Sequence, residues 1–117
     1  MEKILTSIKK QIGGIDEEVT SFDDQIVMGI NMAIATLTQI GIGPSSGFML
    51  QTKTETWSDF ISDLETSARF IQVQSYIYCR TKLFFDPPAS QTMMNALQSL
   101  AAELEWRLKV ESENPKK

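Results

Sequence analysis

Ten of the sixteen residues from 70 to 85 are apolar or aromatic, and at the roughly 100° that a helix turns per residue they point in nearly every direction. A helix apolar on all sides has to be covered on more than one face. A chain of 117 residues holds one domain's worth of core, and about three other helices are all it has to offer as cover. Two compatible arrangements answer the demand. The segment is the central helix, or part of it faces a neighbouring subunit.

The rest of the sequence supplies those helices. Ile4, Leu5, Ile8 and Ile12 share one helical face, which Gly13-Gly14 terminates. An acidic connector from Asp16 to Asp24 reads as a solvated turn plus the negative first turn of the next helix. Ser21 and Asp24 stand at capping-box spacing. Phe22, Ile26, Ile30, Ala33, Ile34, Leu37 and Ile40 then form a second stripe, stopped by Gly41-Ile42-Gly43-Pro44. Thr56 and Asp59 repeat the capping-box spacing ahead of Trp57, Phe60, Ile61 and Leu64. Asp86-Pro87-Pro88 breaks the chain, and Ser90 caps a last helix whose stripe is Met93, Leu97, Leu100, Leu104 and Leu108. Glu103–Arg107 and Glu105–Lys109 are spaced as i, i+4 pairs. The expected fold is all-α: a compact bundle of about four helices with one long loop. The helices are placed at 2–12, 22–41, 57–85 with a break near 62–66, and 90–110. Residues 1–110 form the single domain and 111–117 a flexible polar tail. Trp57, Tyr76, Phe85 and Trp106 are expected to be mostly buried, with Trp106 widening its stripe toward the Asp86-Pro87-Pro88 corner.

The connection over 42–56 is long for so small a domain, and loops of that length are usually functional. It carries Ile42, Phe48, Met49 and Leu50. Either it folds back on its own core or it reaches another subunit, and residues 51–55 read as one arm of a small hairpin.

Composition narrows the chemistry. The chain has no histidine and one cysteine, Cys79. Histidine-based triads, histidine-ligated metals and an intrachain disulfide are therefore excluded within one chain. Cys79 lies in the most apolar helix and reads as an inert core thiol. Gly41, Gly43 and Gly47 match neither phosphate-binding glycine pattern. The carboxylates sit at the spacing of solvated faces, so no catalytic, metal or cofactor site is expected. The net charge is −4, with no run of three basic residues, which argues against independent nucleic-acid binding. Strictly apolar runs reach only three or four residues, too short to span a bilayer. The expectation is a soluble protein of a reducing compartment.

Three pieces of the sequence, taken in order, resemble a known family. One runs from Phe22-Asp23-Asp24 to Gln39-Ile40-Gly41-Ile42-Gly43-Pro44. The second is Glu55-Thr56-Trp57-Ser58-Asp59-Phe60-Ile61. The third joins Tyr76-Ile77-Tyr78 and Leu83-Phe84-Phe85-Asp86-Pro87-Pro88 to Glu103-Leu104-Glu105-Trp106-Arg107-Leu108. This order is similar to the head–tail connector (adaptor) proteins of long-tailed bacteriophages and prophages of Gram-positive hosts. The resemblance covers nearly the whole chain.

The resemblance implies a helical domain without enzymatic activity, made in the host bacterial cytoplasm and built into the virion neck. It implies a homo-oligomeric ring, usually dodecameric, lying between the portal protein and the next neck or tail-completion protein. DNA would pass through the ring without specific binding, and no membrane is involved. Trp57, Tyr76, Phe85, Asp86, Pro87, Pro88, Trp106 and Arg107 carry the structural motif. Ile42, Phe48, Met49, Leu50, Glu111, Glu113, Lys116 and Lys117 are the candidate protein-interface residues. Two other readings remain open from the residues alone. One is a small phage-encoded interaction or regulatory protein that binds a host partner. The other is a helix-turn-helix regulator, disfavoured because each helix has at most two or three basic residues.

Overall fold

The structure is a computed structural model and describes residues 2–13, 15–16 and 18–113. Its described residues are helical with no strand: α1 (Ile4–Ile12), α2 (Asp23–Gln39), α3 (Trp57–Phe60), α4 (Phe70–Phe85) and α5 (Gln91–Glu113), with a 3₁₀ turn at Leu64–Thr66. Two caps fall where the residue types place them. Thr56 and Asp59 form a reciprocal capping box on α3, and the Ser90 hydroxyl accepts from the Met93 amide. The break inside the third segment is wider than expected, because α4 begins at Phe70. Helix α5 continues through Glu111, Ser112 and Glu113, which the sequence assigned to a tail. The expected hairpin arm at 51–55 does not form. An isolated antiparallel bridge joins Lys3 to Thr56 instead.

Helix α4 is the central element, which covers most of its all-round apolar surface, although Ile71 and Phe84 remain exposed. It packs against α1, α2 and α5. On one side Gly29 of α2 lets Thr81 approach so closely that an added Cβ would stand 3.2 Å from its methyl. From another side Tyr76 reaches α5, where its hydroxyl donates to Glu105 at 3.0 Å. Helices α2 and α5 thus flank α4, and they meet near their C-terminal ends, where the Ser112 hydroxyl donates to the Ile40 carbonyl at 2.6 Å. The molecule is correspondingly flat, 42 × 34 × 22 Å.

Polar contacts lock the α1 end. Asp23 belongs to the acidic connector whose charges are expected to be solvated. It is buried instead, 2.8 Å from a buried Lys9. Lys9 also donates to the Val19 carbonyl. The Ser21–Asp24 capping box is absent, and α2 starts after Phe22 without a side-chain cap. Ser7 joins three elements: its hydroxyl donates to Glu2 and accepts from the Trp57 indole at 3.1 Å and the Gln74 amide at 2.9 Å. Cys79 is buried, and burial pushes its thiol up to about 11, so it stays protonated.

Trp57 and Tyr76 are fully buried, as expected, while Phe85 is half-buried against Phe22. Trp106 is the correction: 65% of it is exposed. Two residues beyond Leu104, it lies about 200° round the helix and faces away from the core. The Pro87-Pro88 corner is roughly 27 Å back along α5, out of its reach. Met93 and Leu100 of the stripe are also exposed, because the buried face of α5 is confined to Ala101, Leu104 and Leu108.

Candidate functional site

The long loop is fastened to its own core. Helix α2 ends in a Schellman arrangement: the Gly41 amide donates to Thr38 and the Ile42 amide to Leu37. Gly41 takes the positive φ of +96° that this ending requires. The motif carries Ile42 onto Leu37, and both are fully buried. Gly43, at φ +96°, lies against the Phe60 ring so closely that a Cβ would stand 2.6 Å from it. Phe48 stacks on Phe60 with centroids 5.2 Å apart.

Further along, Asn31 of α2 grips the Leu50 backbone at both polar groups. Its side-chain oxygen accepts from the Leu50 amide at 2.7 Å and its amide donates to the Leu50 carbonyl at 3.1 Å. Leu50 is buried as a result. Glu55 closes the loop by accepting from the Gln51 and Thr52 amides. Burial alone would raise its carboxyl, but the surrounding backbone N–H groups outweigh that and hold it below the usual range. The Glu55 carbonyl then accepts from Ile4 at 3.0 Å, tying the loop to α1.

Of the four apolar loop residues expected at an interface, Ile42 and Leu50 belong to the chain's own core and are corrected as surface candidates. Phe48 is half-buried and Met49 is 52% exposed. Between the loop and the flank of α2 runs an open groove of about 790 Å³, lined by Ala35, Thr38, Ser46, Phe48, Met49 and Glu55 among others.

Helix α5 offers the second surface. Trp106 and Val110, one turn apart, project from its outer side. Arg107 pairs with Glu103 at 2.9 Å, as the spacing required. Glu105 does not turn to Lys109. It accepts from Tyr76 and lies 3.7 Å from Arg80. Burial pushes the Tyr76 phenol up to about 12, so it remains a hydrogen-bond donor to Glu105 across the neutral range. Asp86 accepts from Lys82 at 2.8 Å at the end of α4, ahead of Pro87 and Pro88. A smaller apolar groove of about 260 Å³ opens beside that corner, among Tyr78, Pro88, Met93, Leu97 and Leu100.

Glu111 and Glu113 are exposed on the last turn of α5. Lys116 and Lys117 lie outside the described residues. Among the described residues no cluster of metal-ligating side chains occurs, and no helix is long and apolar enough to cross a membrane. The chemistry this surface supports is apolar contact with another macromolecule.

Comparison with known proteins gives one family. The profile described as phage connector protein matches residues 4–115, from the first residue of α1 to beyond the end of α5. No curated protein and no solved structure matches the chain.

Proposed function

Because the chain belongs to the phage connector protein family, we propose that it is a structural protein of the virion neck. It forms a ring that joins the portal vertex of the head to the next neck or tail component and continues the DNA channel. The observation that carries this reading is the family match, which spans every helix of the fold. The exposed apolar side chains agree with it: Met49 at the loop and Trp106 and Val110 on α5 are the kind of surface that association covers.

A ring of twelve is the stoichiometry we favour, from the resemblance of the sequence to dodecameric connectors. Its partners are the portal protein on one side and a tail-completion protein on the other. Phe48, Met49, Glu111 and Glu113, with the segment carrying Lys116 and Lys117, make the contacts between proteins. The net charge of −4 per chain suits a channel that DNA must traverse, since a basic lumen would hold the phosphates.

The test uses a phage that produces particles. One variant ends the chain at Glu113, which spares the Ser112 bond to α2; another combines Phe48→Ser with Met49→Ser. Heads that fill but leak DNA or stay tailless are the expected outcome. Filled heads joined to tails at normal frequency in both variants would show that these surfaces are wrongly assigned.

A further inference from the structure

We infer that the subunits join head to tail, with Trp106 of one copy seated in the groove between α2 and the 46–55 loop of the next. This rests on the connector reading and names the contact from which its ring is built.

Four observations lead to it. The first is the knob. Trp106 is 65% exposed on a well-formed helix, with Val110 beside it one turn on. An outward indole on a rigid element is the side chain that most often anchors an interface. The second is the hole. The groove on the flank of α2 is about 790 Å³ and open, with Ala35 on α2 and Phe48 and Met49 on the loop. The Asn31–Leu50 bonds and the Gly43–Phe60 contact hold its loop wall in place, so it is formed before a partner arrives.

The third is placement. Helices α2 and α5 flank α4 and come together near Ser112 and Ile40. Trp106 is on the α5 side of the flat molecule and the groove is on the α2 side. A knob and a hole on two different sides of one chain cannot both be filled by a single two-fold partner, so the contact is heterologous, the kind that generates rings when the rotation closes. The fourth is charge. Lys109 flanks Trp106, and its neighbour at i−4, Glu105, is engaged by Tyr76 and Arg80. Glu55 lines the groove, and its carboxylate, held by the loop amides, stays ionised. Seating Trp106 in the groove carries Lys109 to the rim where Glu55 stands. Complementary charges at a rim select the partner and its register.

Sedimentation velocity on the purified full-length chain, up to about 1 mM, tests the contact. Wild type is expected to self-associate with rising concentration. Trp106→Glu and Ala35→Arg should each weaken association by about 100-fold, the scale of losing an anchor residue. Both positions are exposed, and Val110→Glu serves as a second knob variant should Trp106→Glu lose helix content by circular dichroism. The decisive measurement is an equimolar mixture. Trp106→Glu keeps an intact groove and Ala35→Arg keeps an intact knob, so the two should form a heterodimer and stop there. A wild-type chain that stays monomeric throughout, a Trp106→Glu chain that assembles normally, or a mixture that stays monomeric would each overturn the inference. So would loss of assembly in Leu100→Arg, in the smaller groove, with Ala35→Arg unaffected. Those failures concern only this contact. Failure of the connector reading shows instead in particles that form normal necks when the whole chain is absent.

Discussion

The 42–56 loop and helix α5 reverse the usual roles of loop and helix. The loop has no regular structure, yet it is fixed at Ile42, Gly43, Leu50 and Glu55 by backbone and side-chain bonds, and two of its four apolar residues lie in the core. Helix α5 is 23 residues long and fully regular, yet it buries only Ala101, Leu104 and Leu108 and leaves Met93, Leu100, Trp106 and Val110 in water. Regularity satisfies a helix's own backbone and says nothing about its outer face. A loop, whose backbone groups have no such internal partners, must find them elsewhere, and here it finds them in Asn31, Glu55 and the end of α2.

Within the loop, the largest expected loss comes from breaking the anchorage at Gly43. Alanine there meets both a φ of +96° and a Cβ 2.6 Å from the Phe60 ring. The conformational penalty is about 1–2 kcal/mol and the overpacking about 1–3 kcal/mol. Gly47 is the internal control, with φ +94° and nothing within 4 Å of its Cβ. Gly47→Ala should cost only the conformational part. Thermal melts of the two variants separate strain from collision, and equal losses would mean that Phe60 yields freely.

The next loss is more local. Asn31→Ala removes both bonds to the Leu50 backbone. Leaving those groups unpaired costs about 1–3 kcal/mol. Hydrogen exchange at the Leu50 amide should accelerate far more than exchange in α4, because the loop can open without the bundle. Uniform acceleration in both would contradict the view that the loop is a separately fastened unit.

How the helices run was legible in the chain because α1, α2 and α5 have stripes at helical spacing and most helices have a stop: Gly13 after α1, Gly41 after α2, Pro87 after α4. The capping box at Thr56 and Asp59 was legible for the same local reason. Ile42 was legible too, since a residue after a helix-ending glycine commonly returns to the last turn, the fold-back alternative of the two open for this loop. Leu50 was not legible, because its partner Asn31 is 19 residues away and only the docking of the loop brings them together. The burial of Asp23 was not legible, because its ion pair with Lys9 depends on how α1 meets α2, a tertiary fact with no signal in either stripe. Trp106 was open to simple angular counting: two residues from Leu104 is the wrong side of the helix for a core residue.

A smaller effect tests how α5 is held. The Tyr76 phenol is pushed from 10.0 up to about 12, so the folded state binds this proton more tightly than the unfolded one. The stability this contributes is complete below pH 10 and is lost as pH rises toward about 12. Tyr78→Phe leaves Tyr76 the single tyrosine, and near-ultraviolet absorbance then follows its ionisation. Titration near pH 10 would mean that the Tyr76 phenol is not held buried against α5 in solution.

The smallest expected effect is on the largest exposed side chain. Trp57 and Trp106 are the two tryptophans of the chain, and they stand on opposite sides of the comparison. Trp57 is fully buried, bonded to Ser7 and edge-on to Phe70 at 5.4 Å. Truncating it should cost about 3–5 kcal/mol. Trp106→Ala should shift the stability of the isolated chain by no more than about 0.5 kcal/mol, the range of an exposed position without structural duties. Iodide should quench the Trp106 fluorescence that remains in Trp57→Phe, and leave Trp57 dark to quencher in Trp106→Phe. A large loss of stability in Trp106→Ala would mean that the indole folds onto its own subunit, and α5 would then have no free aromatic to offer a neighbour. A neutral result in the monomer together with a loss of assembly separates the two functions of helix α5. Its Leu104 side holds the fold, and its Trp106 side serves contacts outside the chain.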